Sequence, residues 1–148
     1  MKCKLLNENA GRRTFAVILH TGDEVMAELQ NFAETERITA AQLTAIGAFS
    51  EADLAYFDWE QKDYRRIPVR EQVEVASLLG DIALSPDGKP VPHLHAVLGR
   101  RNGTALAGHL AQAKVRPTLE VIVDESPTHL KKRFVPETRL ALIDPTAP

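Results

Sequence analysis

The chain is poor in the residues that staple or anchor a protein. It holds one cysteine, Cys3, in 148 residues, which excludes an intrachain disulfide and any cysteine-rich zinc site. Aromatic residues make up only 5%. The longest unbroken apolar run is Phe15–Leu19. A bilayer span needs roughly 20 such residues and a signal-peptide apolar region about 7 or more. The expectation is a soluble, cytoplasmic protein with no membrane partner. A basic excess is also missing: 18 Lys and Arg against 20 Asp and Glu give a net charge of −2. A free-standing nucleic-acid binder usually carries positive charge to displace counterions. The chain contains no Gly-rich phosphate loop, nucleophile elbow or Cys/His pair.

What is present is enough for a real core. The composition is 44% hydrophobic, and a chain of this length typically buries about two-thirds of its unfolded surface. There is no internal repeat, and the prolines are scattered in a way that marks no interdomain linker. The polar residues 1–12 are expected to be loosely ordered, 13–143 to form one domain, and 144–148 to be a tail.

One helix is legible, over about residues 22–37. Thr21-Gly22-Asp23-Glu24 matches a capping box. Val25, Met26, Leu29, Phe32 and Ala33 then form one apolar stripe, with Met26 and Phe32 as core residues. Most of the remainder reads as strand: Phe15–Leu19, Gln42–Phe49, Ala52–Trp59, Tyr64–Val69, Val73–Leu79, Ile82–Leu84, His93–Leu98, Thr104–Leu110, Leu119–Val123 and Arg139–Ile143. Glu60–Asp63 is a plausible hairpin turn, Gly80 marks a bend, and Pro86–Lys89 is a turn. One amphipathic helix with many antiparallel strands predicts an α+β fold built on a largely antiparallel sheet.

Five histidines are present, and the segment Pro92-His93-Leu94-His95-Ala96-Val97-Leu98 is the informative one. In a strand, His93 and His95 share one face while Leu94, Ala96 and Leu98 take the other. The two imidazoles then start about 7 Å apart at Cα, close enough to share one metal ion. A third ligand depends on register. A two-residue Asn102-Gly103 loop would point His109 to the wrong face. A three-residue loop, a type I turn closed by Gly103 in the left-handed region, would set His95 directly opposite His109. Three neutral imidazoles at His93, His95 and His109 suit Zn²⁺ or another divalent transition metal and leave one position open. The alternative is that His93 and His95 are ordinary surface residues. His20 and His129 lack such company and read as structural or exposed. Glu74 and Glu120 read as solvent-facing, with a supporting or interface role as the alternative. A cupin is disfavoured, because Leu98 and Gly99 stand where its glutamate belongs.

The order of signals resembles one known family. The segments are Leu19-His20-Thr21-Gly22-Asp23-Glu24, Ala45-Ile46-Gly47-Ala48-Phe49-Ser50 and Glu74-Val75-Ala76-Ser77-Leu78-Leu79-Gly80. They are followed by Asp87-Gly88-Lys89-Pro90, His93-Leu94-His95-Ala96, Gly108-His109-Leu110 and Leu119-Glu120-Val121. Together they resemble the plants-and-prokaryotes conserved (PPC) domain family over about residues 14–143. The resemblance implies an α+β domain, a homotrimer, and a metal site at His93, His95 and His109. Its plant members carry AT-hooks beside the domain, and free-standing prokaryotic members take a DNA-binding label from them. This chain has no Arg-Gly-Arg-Pro hook, so direct DNA binding is not expected. Only a patch of Arg65, Arg66, Arg70, Arg100 and Arg101 gathered in the assembly could support it.

The resemblance defines no activity. The first reading is therefore a metal-binding, self-associating module whose partners are its own copies, another protein or a small-molecule ligand. The alternative is a zinc-dependent hydrolase or lyase acting on a small molecule. A metal-bound water with a carboxylate in reach, inside a deep cleft, would favour the enzyme.

Overall fold

Alternation of buried and exposed residues, the period of a half-buried strand, runs through most of the molecule. The computed structural model describes residues 1–147. In chain order the elements are β1 (Lys2–Asn9), β2 (Arg12–His20), α1 (Val25–Thr35), β3 (Ala40–Asp58), β4 (Asp63–Val69), β5 (Val73–Leu84), β6 (Pro90–Gly99), β7 (Ala105–Glu125), β8 (Lys131–Val135) and β9 (Leu140–Asp144). They form a nine-stranded sheet with one helix. Every strand pairing is antiparallel except the single parallel contact of β5 with β8, at Leu84 and Lys131.

Two long, irregular strands give the sheet its shape. β3 pairs with β5 and with the second half of β7 through its first half, and with β4 and the first half of β7 through its second. β6 lies between β5 and β7. The circuit β3–β5–β6–β7 therefore closes on itself. Its inward side carries Leu43, Phe49, Leu54, Leu78, Ile82, Leu94, Leu98 and Leu110, all fully buried. Burying each such side chain contributes about 1.5–3 kcal/mol relative to leaving it exposed. Helix α1 packs on β6 and β7, burying Val25, Leu29, Phe32 and Ala33, with Met26 packed at the margin of this core.

Several expectations are corrected. The helix spans Val25–Thr35, shorter than 22–37, and Thr21 does not cap it. Glu24 is itself the N-cap, its carboxylate accepting from the Ala27 amide at 2.7 Å. The second carboxylate oxygen of Glu24 accepts from the Ala113 amide at 3.1 Å, tying the helix start to β7. The Thr21 hydroxyl instead donates to the Pro117 carbonyl. Residues 1–12 are not loose: Lys2–Asn9 pair with Arg12–Ile18 as strand β1. Every residue of β1 is exposed, so no alternation advertises it. At the other end, Asp144 closes β9, and Pro148 of the expected tail lies outside the described residues. The bulge in β5 falls between Val75 and Ser77, and Gly80 continues the strand. A side chain there would meet the His93 carbonyl oxygen at 2.1 Å, so Gly80 permits close approach of β5 to β6.

Candidate metal centre

The loop between β6 and β7 has the hydrogen bonds of a three-residue connection. The Gly103 amide donates to the Arg100 carbonyl at 2.9 Å, and the Arg100 amide donates to the Thr104 carbonyl at 2.8 Å. Gly103 sits at φ 82°, where a side chain would be strained. This turn sets the register His95 opposite His109, Ala96 opposite Gly108 and Val97 opposite Ala107. His93 lies diagonal to the pair on the same face.

The three imidazoles converge. Ring centroids are 5.3 Å apart for His93 and His95, 5.2 Å for His93 and His109, and 5.5 Å for His95 and His109. One ligand nitrogen from each ring lies within 4.8 Å of the others. Nδ1 of His109 is buried and has no hydrogen-bond partner among the described residues. A buried imidazole nitrogen without a partner is costly, and giving the lone pair of a neutral ring to a metal ion would satisfy it. Burial, and then the positive charge of His93, His95, Arg66 and Lys132, push His109 down from 6.5 to about 4. Burial and the neighbouring His93 also lower His95, against the opposing pull of Asp81. Neutral imidazoles are the form that ligates a metal.

Around the triad stand residues that no local motif marks. Asp81, opposite His93 in the β5–β6 register, places Oδ2 3.5 Å from His93 Nδ1. Its other oxygen is 3.7 Å from Nζ of Lys132 on β8. Burial would raise the Asp81 carboxyl, but His93 and Lys132 outweigh it and hold it below the ordinary value. A carboxylate behind a ligating histidine fixes the ring's orientation and raises its basicity. Tyr64 of β4 stacks on His109 with centroids 4.8 Å apart. Asp81 falls between the Val73–Leu79 and Ile82–Leu84 strand readings, next to the expected bend at Gly80, and Lys132 in a basic run, so no local motif links either to the histidines. Asp81 meets His93 through the β5–β6 register, and Lys132 is brought to Asp81 by the parallel β5–β8 contact.

Other candidates lie elsewhere. His20, His129, Glu74 and Glu120 are exposed. Of the five arginines that could form a basic patch, Arg65 pairs with Asp58, Arg70 with Asp53 and Arg100 with Glu71. A cavity of about 520 Å³ on the same sheet face is lined by Gln42, Leu79, Asp81 and Asp124, among others. It touches the centre only through Asp81. Among the described residues no helix is long and apolar enough to cross a membrane.

Similarity to known proteins assigns the chain to a family. The Plants and Prokaryotes Conserved (PCC) domain model matches residues 6–127, and the chain belongs to that family. Among solved structures it is similar to a metal-containing protein from Archaeoglobus fulgidus, at 34% identity and TM-score 0.81, covering 88% of this chain and 91% of that one. It is also similar to a plant- and prokaryote-conserved (PPC) protein from Pyrococcus horikoshii, at 27% identity and TM-score 0.84, covering 99% and 97%. A third relative, from Ralstonia eutropha, has a conjectural DNA-binding designation, with 29% identity, TM-score 0.81 and coverage of 88% and 90%. No curated protein matches the chain.

Proposed function

We propose that this protein is a metal-binding, self-associating module holding one divalent transition metal, zinc in the first instance, on His93, His95 and His109. The observation that carries this reading is the convergence of three imidazoles, one nitrogen from each within 4.8 Å of the others. The partnerless Nδ1 of His109 supports it, as does the metal-containing relative from Archaeoglobus fulgidus. Zn²⁺ takes imidazole nitrogen at about 2.0–2.1 Å in tetrahedral sites, so three histidines leave a fourth position for a small ligand.

The module reading is preferred over a zinc hydrolase or lyase because of Asp81. Its Oδ2 faces His93 Nδ1 at 3.5 Å and its other oxygen, without a hydrogen bond, lies 3.7 Å from Lys132 Nζ, so it stands behind a proposed ligand ring, where a carboxylate orients the imidazole. The sheet supports the self-association part of this reading: β1 is an edge strand with an unpaired side, and Ile46, Leu79 and Ile122 are exposed on one face. Open edges and apolar faces are normally covered. The trimer count rests on the family resemblance, and the cytoplasmic location on the sequence.

Metal analysis after gentle purification tests the site. The wild type is expected to hold about one equivalent per chain, and His95→Ala far less. Equal content in both would remove the proposed centre.

A further inference from the structure

Two cations near the triad lack a partner of ordinary hydrogen-bond length, and the metal reading does not use them. Lys132 is nine-tenths buried, with 9% of its side chain exposed. Its only ionic contact among the described residues is Asp81, at 3.7 Å. Burying an ammonium costs several kcal/mol unless it is paired and hydrogen-bonded, and one shared carboxylate at that distance is a poor match. Arg66 is exposed on β4 and, unlike Arg65, Arg70 and Arg100, its side chain makes no hydrogen bond or ion pair among the described residues, which leaves its guanidinium open to solvent and to a ligand. The register places it on the triad's side of the sheet, since Ala55 is opposite both Arg66 and His109. Lys132 therefore stands at the His93 end of the cluster and Arg66 beyond His109.

We propose that Lys132 and Arg66 flank an oxyanion subsite, so that the ligand completing the metal's coordination is a carboxylate or phosphate group. This rests on the metal reading above. The charge balance supports it. A dication on three neutral imidazoles, with Lys132 and Arg66 nearby, carries four positive charges against the single negative charge of Asp81. An anion bound at the open position offsets part of that excess, and guanidinium and ammonium are the side chains that match its oxygens. A neutral ligand or water would leave both cations as they are.

Cobalt-loaded protein tests this, because the visible spectrum of Co²⁺ reports changes in its coordination. At saturating cobalt, titrating the wild type with acetate and separately with inorganic phosphate is expected to give a saturable spectral change with at least one of them. The arm that responds names the source of the oxyanion. In Lys132→Met and Arg66→Ala the protein still takes up cobalt, and the apparent affinity for that anion falls at least tenfold. If either variant fails to fold, the other carries the test. Cobalt uptake with no oxyanion response, an equal response to chloride, or unchanged affinity in the variants would overturn the subsite and leave the metal reading standing. No cobalt uptake by the wild type would overturn both.

Discussion

His95 and His109 face each other directly across β6 and β7, their ring centroids 5.5 Å apart. Their meeting is set by the residue count of the turn between them. A connection one residue shorter would turn His109 to the opposite face, because side chains alternate along a strand.

Stability of the metal-free protein falls as the solution is acidified. His109 is depressed in the folded state to about 4 from 6.5, so the unfolded chain takes up the proton first. The stabilising contribution is therefore complete above about 6.5 and is lost as pH falls toward 4. Urea denaturation across this window is expected to show a declining midpoint, with a shallower decline in His109→Gln. An identical pH dependence in both proteins would contradict the account.

Replacing Gly80 by alanine perturbs fold and site together. The added methyl would lie 2.1 Å from the His93 carbonyl oxygen and 2.6 Å from Cδ2 of Leu94, so β5 and β6 must separate. Overpacking of this kind costs about 1–3 kcal/mol. Denaturation should register that loss, and zinc affinity should fall with it as His93 moves.

Helix capping separates two neighbouring residues. Glu24→Ala removes the acceptor of both the Ala27 and the Ala113 amides and should destabilise the protein by about 1–2 kcal/mol. Thr21→Ala loses one exposed hydrogen bond to Pro117 and should cost less than about 0.5 kcal/mol. A larger effect at Thr21 would restore the capping-box reading.

The same comparison shows what the sequence could reveal. The helix stripe is encoded within a few residues, so Val25, Leu29 and Phe32 could be read directly, whereas the β6–β7 turn allowed two loop lengths that only the observed register decides between. The joining of Gln42–Phe49 with Ala52–Trp59 into β3, and of Thr104–Leu110 with Leu119–Val123 into β7, could not. Irregularities such as the shifts between Gly47 and Glu51 read locally as strand ends. β1 has no buried face to betray it. Within the site, the three candidate ligands could be grouped because two share a strand and the third is one hairpin away. Lys132, Tyr64 and Arg66 reach the centre through pairings distant in sequence, which no local pattern records; Asp81 is one hairpin from His93, but nothing in its own segment marks it as a partner of the histidines.

Sedimentation equilibrium at micromolar concentration, with and without a labelled A·T-rich duplex, addresses assembly and DNA together. A mass three times that of the chain is expected, with the duplex sedimenting free at about 150 mM salt. The net charge of −2 and the ion-paired Arg65, Arg70 and Arg100 leave little attraction for an extended duplex backbone beyond the non-specific range of about 10⁻⁴–10⁻⁶ M. A monomer would contradict the assembly, and a duplex co-sedimenting at submicromolar protein would contradict the second expectation.

X-ray absorption at the zinc edge of the loaded protein tests the central claim most directly. Three imidazole nitrogens at about 2.0–2.1 Å, with the outer-sphere scattering of histidine rings and one further light-atom ligand, is the predicted result. Zinc bound with one imidazole or none would contradict a centre built on His93, His95 and His109.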